Sequence, residues 1–370
     1  MSDERHAYST VVDSLGAYHA NTATSDVAIA QLTEYLQHSP RQATAYGVDS
    51  HDSEQCRSWV TQQFEQYRDY WPSFCQLCQE TLQISPYPAA MLWMVWLPLA
   101  NQLAAKHQAA GRPIVQGILG GQGTGKTTLA VVVSHLLKRM GYRVCGLSID
   151  DLYKTHDDRQ ALMASDPRLR WRGPPGTHDV ELGLQVLRDL KQIEKSTPIA
   201  IPRFDKSLHQ GSGDRIAPEY IEGADIILFE GWFVGVRPID RTVFDTAPPP
   251  INTEADRQFA RDINHQLSEY VPLWDELDRL MIMYPMDYRI SHQWRQQAED
   301  KMKAAGKSGM SCEEIQEFVE YFWRSLHPDL FITPLLHDAD NVNWVVQFNR
   351  ERTIHSIYSP ASDSPASRNL

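Results

Sequence analysis

The chain has 370 residues, with 35 Lys and Arg against 47 Asp and Glu, and its formal charge of −12 argues against a nucleic-acid binder that works by counterion release. Hydrophobic residues make up 42 % and charged residues 22 %, so most of the length can bury a core and global disorder is excluded. Five cysteines, an odd number in a chain this long, form neither a disulfide framework nor a paired zinc motif, which fits a reducing cytoplasm.

The first 30 residues carry Asp3, Glu4, Asp13 and Asp26 but no apolar run, so no secretory signal is expected. Residues 1–112 read as an all-helical N-terminal module: Trp59, Phe64, Tyr67 and Trp71 recur at helical spacing, and nothing alternates like a strand. Pro72, Pro86, Pro88 and Pro98 are expected to divide it into short helices. Its most apolar stretch, residues 91–100, falls short of the ~20 residues a membrane helix needs and reads as a buried helix, so no membrane partner is expected. Gly111-Arg112-Pro113 marks a linker.

From 113 to 358 apolar runs alternate with amphipathic helices, the pattern of an α/β domain with a parallel sheet flanked by crossover helices. Strands are expected at 114–119, 142–149, 199–201, 226–229, 279–283 and 344–348, and helices at 129–140, 180–194, 257–270 and 291–305. Residues 359–370, with Ser and Pro clustered, read as a loose tail.

The strongest motif is Gly120-Gly121-Gln122-Gly123-Thr124-Gly125-Lys126-Thr127, a complete G-x-x-x-x-G-K-[ST] between an apolar strand and an apolar helix. Glycine permits the tight turn that aims successive amides at a nucleotide's phosphates, and the helix adds its positive end. Gly120 through Thr128 are therefore the expected nucleotide contacts, with Lys126 on the β and γ phosphates and the Thr127 hydroxyl on Mg²⁺. A phosphate cradle alone does not choose among switches, motors and kinases.

The second strand ends in Ser148-Ile149-Asp150-Asp151-Leu152-Tyr153, placing carboxylates at the carboxyl edge of the sheet, where ligands of open α/β folds bind. A small-molecule kinase needs such an acid to orient the acceptor hydroxyl or hold the metal, and Asp150 is the candidate; a capping role suits Asp151 better. The apolar run 226–229 leads into Glu230-Gly231-Trp232, and Glu230 is a candidate metal-side acid or a turn cap. Cations are scarce in this chain, yet Arg172, Arg203, Lys206 and Arg215 fall in glycine-flanked loops. They suggest a pocket for an anionic acceptor or, alternatively, incidental surface ion pairs. His178 reads as packed or hydrogen-bonded more readily than catalytic. Arg295, with Arg289 in reserve, opens a basic helix continuing through Lys301 and Lys303 to Gly306, Lys307, Gly309 and Met310. It suits a lid over the transferring phosphoryl group or a solvated helix face.

Taken in order, the P-loop, SIDDLY (148–153), RGPPGTHD (172–179), PRFDKS (202–207), GDR (213–215), FEGWFVG (229–235), WRQQAE (294–299) and GMS (309–311) resemble the plant-type D-glycerate 3-kinases, P-loop kinases of the uridine kinase, phosphoribulokinase and pantothenate kinase group. The resemblance spans about residues 113–348. It implies ATP-dependent phosphorylation of D-glycerate to 3-phosphoglycerate, the closing step of the photorespiratory glycolate route. By the same resemblance Asp150 is the base, Thr127, Asp150 and Glu230 surround Mg²⁺, and Arg295 is a lid arginine. Asp179 holds acceptor hydroxyls, an assignment extended to an acceptor pocket with Arg172, Arg203, Lys206 and Arg215. Leu152 and Pro174-Pro175 depart from the commoner spelling without removing a charge. The remaining alternatives are a kinase for a nucleoside or pantothenate-like acceptor and an ATP-binding regulatory protein.

Overall fold

The computed structural model describes residues 2–192, 197–304 and 309–363. Eight strands occur in it: β1 (Ile114–Gly120), β2 (Val144–Ser148), β3 (Ile199–Asp205), β4 (Asp214–Ile221), β5 (Ile226–Gly231), β6 (Arg279–Pro285), β7 (Trp344–Phe348) and β8 (Ile354–Tyr358). Six form one sheet in the order β2-β5-β1-β6-β7-β8, parallel throughout except for the antiparallel β7–β8 edge. The expected α/β architecture is therefore present, with the helix Lys126–Arg139 directly after β1.

Both faces of this sheet are covered, which is why its central strands read as unbroken apolar runs. Along β5, Ile226 and Leu228 belong to the core on one face, and Ile227 and Phe229 to the core on the other. The helices before Gly111 pack on the first face beside Lys126–Arg139, and the Trp344 indole N–H donates to the Ala45 carbonyl at 2.8 Å. Helices Val180–Lys191 and Glu254–Gln266 cover the second face. Among the described residues no helix is long and apolar enough to cross a membrane.

Three expectations are corrected. The apolar run 199–201 lies outside the sheet, in a two-stranded antiparallel ribbon of β3 with β4. Ile199 and Ile201 are buried while Ala200 between them is exposed, and such alternation belongs to a ribbon covered on one side, not to a central parallel strand. Pro72 does not break its helix: Ser53–Leu77 runs through it. Pro98 likewise does not break its helix: the backbone stays helical from Ala89 to Ala110, with a π-helical stretch at Leu92–Trp96 just before the proline. Strands β4 and β8 and the helices His156–Ser165 and Cys312–Ser325 were not anticipated. The expected helix end at 193–194, the loop residues Gly306 and Lys307, and the tail from 364 lie outside the described residues.

Candidate active site

Register brings the chemistry together at one edge. Glu230 on β5 pairs with Ile118 on β1 and Ser148 on β2. The P-loop begins two residues beyond Ile118, and Asp150 lies two residues beyond Ser148. With strands about 4.8 Å apart, these groups fall within the span of a triphosphate and a small acceptor.

Gly123 (φ +81°) and Gly125 (φ +89°) occupy the left-handed region that lets the loop curl onto the helix N-terminus. The Thr124 hydroxyl ties the turn by donating to the Gly121 carbonyl at 2.8 Å, and Lys126 Nζ reaches the same carbonyl at 3.1 Å. Burial pulls the Lys126 ammonium below the usual lysine range, while Glu230 and Asp150 oppose that pull. The Thr127 hydroxyl lies 3.3 Å from Glu230 Oε1. Burial also raises the Glu230 carboxyl above its usual range, against the attraction of Lys126. Trp294 and Arg352 stand over the loop: a Cβ at Gly123 would lie 3.0 Å from Trp294 Cβ and 3.7 Å from Arg352 Nη2.

Asp150 pairs with Lys206, Nζ to Oδ2 at 2.5 Å. Burial alone would raise this carboxyl; Lys206 and the Tyr153 hydroxyl outweigh it and hold Asp150 below the usual aspartate range. Asp151 does cap: its Oδ2 accepts from the Ser148 amide at 3.0 Å in a reciprocal capping box.

The segments after β2 and before Val180–Lys191 are zipped together. The Lys154 amide donates to the Thr177 carbonyl at 3.1 Å, and the Asp179 amide to the Leu152 carbonyl at 2.7 Å. Asp179 Oδ1 caps its helix by accepting from the Leu182 amide, and Oδ2 accepts from Arg215 at 3.0 Å. Arg172 donates to the carbonyls of Gly211 and Ser212 and lies 5.9 Å from the Tyr153 ring centroid. Gly173 (φ +133°) lets the segment pass under Phe322, and its carbonyl accepts from the Trp232 indole at 3.1 Å.

Of the expected residues, Lys126, Thr127, Asp150, Lys206 and Glu230 form one electrostatic group, with Asp179, Arg215 and Arg172 around Tyr153 beside it. Arg203 is not brought into either. Its guanidinium bridges Asp151 at 3.1 Å and Glu219 at 2.6 Å and donates to the Gly146 carbonyl, bracing the ribbon against the sheet edge. Arg295 pairs with buried Glu299 at 2.5 Å, lies over Phe318 and feels the charge of Arg172; Arg289 is exposed beside Asp287. Glu299 also accepts from the Met310 amide, which holds the GMS segment to the helix Ile290–Ala304.

Sequence reasoning passed over Tyr153 and Arg159. Arg159 is 9 % exposed, donates to the carbonyls of Lys154, Ser212 and Gly213, and stacks at 5.1 Å over Phe204. It sits on the unanticipated helix His156–Ser165, and its first-turn position gave no motif to notice.

No protein-family model matches the chain. It is 29 % identical over 306 residues to the chloroplastic D-glycerate 3-kinase of Arabidopsis thaliana, a match covering 76 % of this chain and 65 % of the plant protein. The chain thus spans slightly under two thirds of that relative's length. An uncharacterized kinase of Schizosaccharomyces pombe is 32 % identical over 228 residues, 60 % of this chain and 82 % of that protein. The solved D-glycerate 3-kinase of Cryptococcus neoformans superposes with a TM-score of 0.63 at 30 % identity, covering 70 % of this chain and 96 % of that one.

Proposed function

Since the chain belongs to the D-glycerate 3-kinase family of P-loop kinases, we propose that it transfers the γ-phosphoryl group of ATP to the primary hydroxyl of D-glycerate, giving 3-phosphoglycerate. The observation that carries this reading is Asp150, a partly buried carboxylate kept ionised by Lys206 and facing the same charge group as Lys126 and Glu230.

In this reading the P-loop amides and Lys126 bind the phosphates, and Asp150 accepts the hydroxyl proton as the new P–O bond forms. A carboxylate held below its usual range is a weak base, which suits a loose phosphoryl transfer state in which the alcohol loses its proton late. The hydroxyl of Thr127 and the carboxylates of Glu230 and Asp150 are hard oxygen donors fitted to Mg²⁺, which keeps water and phosphate oxygens in its shell. Among the described residues no three His, Cys, Asp or Glu side chains form an all-protein metal cage. Bound there, the ion would offset charge on the phosphates.

D-glycerate is an anion approaching an anion, so its carboxylate needs cations. Arg172 and Arg215 supply them beside Asp179, and Lys206 lies next to the base. Asp179 takes an acceptor hydroxyl, and Arg295 closes with its helix to exclude water. A place at the close of the photorespiratory glycolate route belongs to the same reading, carried by the motif resemblance, and a cytoplasmic location rests on the five free cysteines.

The test is an ADP-release assay over D-glycerate, uridine, pantothenate and no acceptor. The reading predicts release that depends on D-glycerate and disappears in Lys126→Ala. Acceptor-independent release, or preference for uridine or pantothenate, overturns it.

A further inference from the structure

His178 is 2 % exposed, and its ring stacks on Tyr153 at a centroid distance of 4.5 Å and an interplanar angle of 21°. The Tyr153 hydroxyl is in turn bonded to Asp150, so the imidazole lies one aromatic layer from the proposed base and within its electrostatic reach. One ring nitrogen is engaged: Nδ1 lies 2.8 Å from the Tyr270 hydroxyl. That hydroxyl oxygen already accepts from the Gly176 amide at 2.9 Å, so its own proton points to Nδ1. Nδ1 therefore accepts, and the imidazole carries its hydrogen on Nε2. Burial drives the His178 pKa down to about 3, which keeps the ring neutral at working pH. Nε2 is buried and has no hydrogen-bond partner among the described residues. Folded proteins seldom leave such a donor unpaired, and when they do the reason is often functional.

We infer that His178 is a specificity residue of the acceptor pocket, its Nε2–H donating to the C2 hydroxyl of a 2,3-dihydroxy acid, an assignment that rests on the glycerate reading above. The chemistry selects that oxygen. A carboxylate is matched by Arg172, Arg215 and Lys206, whereas one neutral donor matches one neutral oxygen. The C2 hydroxyl is attached next to the carbon bearing the reacting hydroxyl, and Tyr153 links the two sides, its hydroxyl bonded to Asp150 and its ring stacked on His178. The backbone bridge between Tyr153 and His178 fixes the two side chains relative to each other, so recognition and proton acceptance share one support.

The experiment compares kcat/KM for D-glycerate with that for 3-hydroxypropanoate, which lacks only the C2 hydroxyl, in the wild type, H178N and H178Q. Asparagine can keep an oxygen near Nδ1 for Tyr270 but has no donor near Nε2; glutamine reaches toward Nε2 and supplies one. The wild type is expected to prefer D-glycerate strongly. H178N is expected to lower kcat/KM for D-glycerate by roughly 10- to 100-fold while changing that for 3-hydroxypropanoate by less than about 3-fold. H178Q is expected to recover much of the preference. Equal losses on both acceptors in H178N, or a preference retained in H178N and lost in H178Q, mean a purely structural histidine and overturn the proposal. A wild type that ignores D-glycerate overturns the glycerate reading and this proposal with it. One that phosphorylates D-glycerate with a ratio unmoved in H178N overturns this proposal alone.

Discussion

Gly173→Ala tests how the acceptor side is held in place. At φ +133° an alanine is strained by about 1–3 kcal/mol. Its Cβ would also lie 2.4 Å from Phe322 Cε1 and 2.7 Å from Cζ, far inside the ~3.5–4.0 Å at which carbons rest. Moving a packed ring out of the way adds about 1–3 kcal/mol. The two effects together give roughly 2–6 kcal/mol, or a fall in Tm of about 3 to 8 °C at the unfolding entropy of a chain this long. The loop carries Thr177, His178 and Asp179, so kcat/KM for D-glycerate should fall with stability. Phe322→Ala in the same chain removes the clash but not the backbone strain. A double-mutant cycle read by thermal and urea unfolding should therefore return a coupling of about 1–3 kcal/mol. A single substitution within about 0.5 kcal/mol of wild type, or a cycle with no coupling, would refute the close approach and the reasoning built on it.

Three further outcomes follow from the charge arrangement. In Lys206→Met the strongest influence holding Asp150 ionised is gone and burial is opposed chiefly by the Tyr153 hydroxyl, so the carboxyl rises. Because a base works only when ionised, the acid limb of the kcat/KM profile against pH should move to higher pH; an unmoved or acid-shifted limb contradicts the pairing. Arg203→Ala should lower Tm while leaving KM for D-glycerate within about 2-fold, since its guanidinium braces Asp151 and Glu219; a selective rise in KM would return it to the acceptor pocket. Glu230→Gln should raise the Mg²⁺ concentration needed for half-maximal rate by about 10-fold or more, measured by metal titration at fixed ATP; an unchanged requirement removes Glu230 from the metal side.

The phosphate cradle was legible because its information is local: a glycine pattern, an apolar strand before it and a helix after it. Asp150 and Glu230 were legible for a related reason, each ending an apolar run at the carboxyl edge of a parallel sheet. The ribbon was not. β4 is exposed along most of its length and contains Pro218, so it lacks the apolar signature by which strands are recognised. That gap also hid the difference between two arginines that look alike in sequence. Phe204 pairs with Arg215 across the ribbon, and Arg203 is the next residue along β3, so the pleat sends Arg203 to the opposite face. One face meets Tyr153 and Asp179; the other meets the edge of β2. Tyr153, Arg159 and His178 acquire their meaning only from the backbone zipper that joins two segments about 25 residues apart, a contact no local pattern announces.

Phosphorus-31 NMR of the product formed from ATP and D-glycerate by the purified chain, beside Asp150→Asn, tests the central claim most directly. A phosphomonoester on C3, formed by the wild type and lost by about 10²- to 10⁴-fold in Asp150→Asn with ATP affinity intact, is the expected result. Inorganic phosphate as the sole product, a phosphomonoester on C2, or full transfer by Asp150→Asn would contradict it.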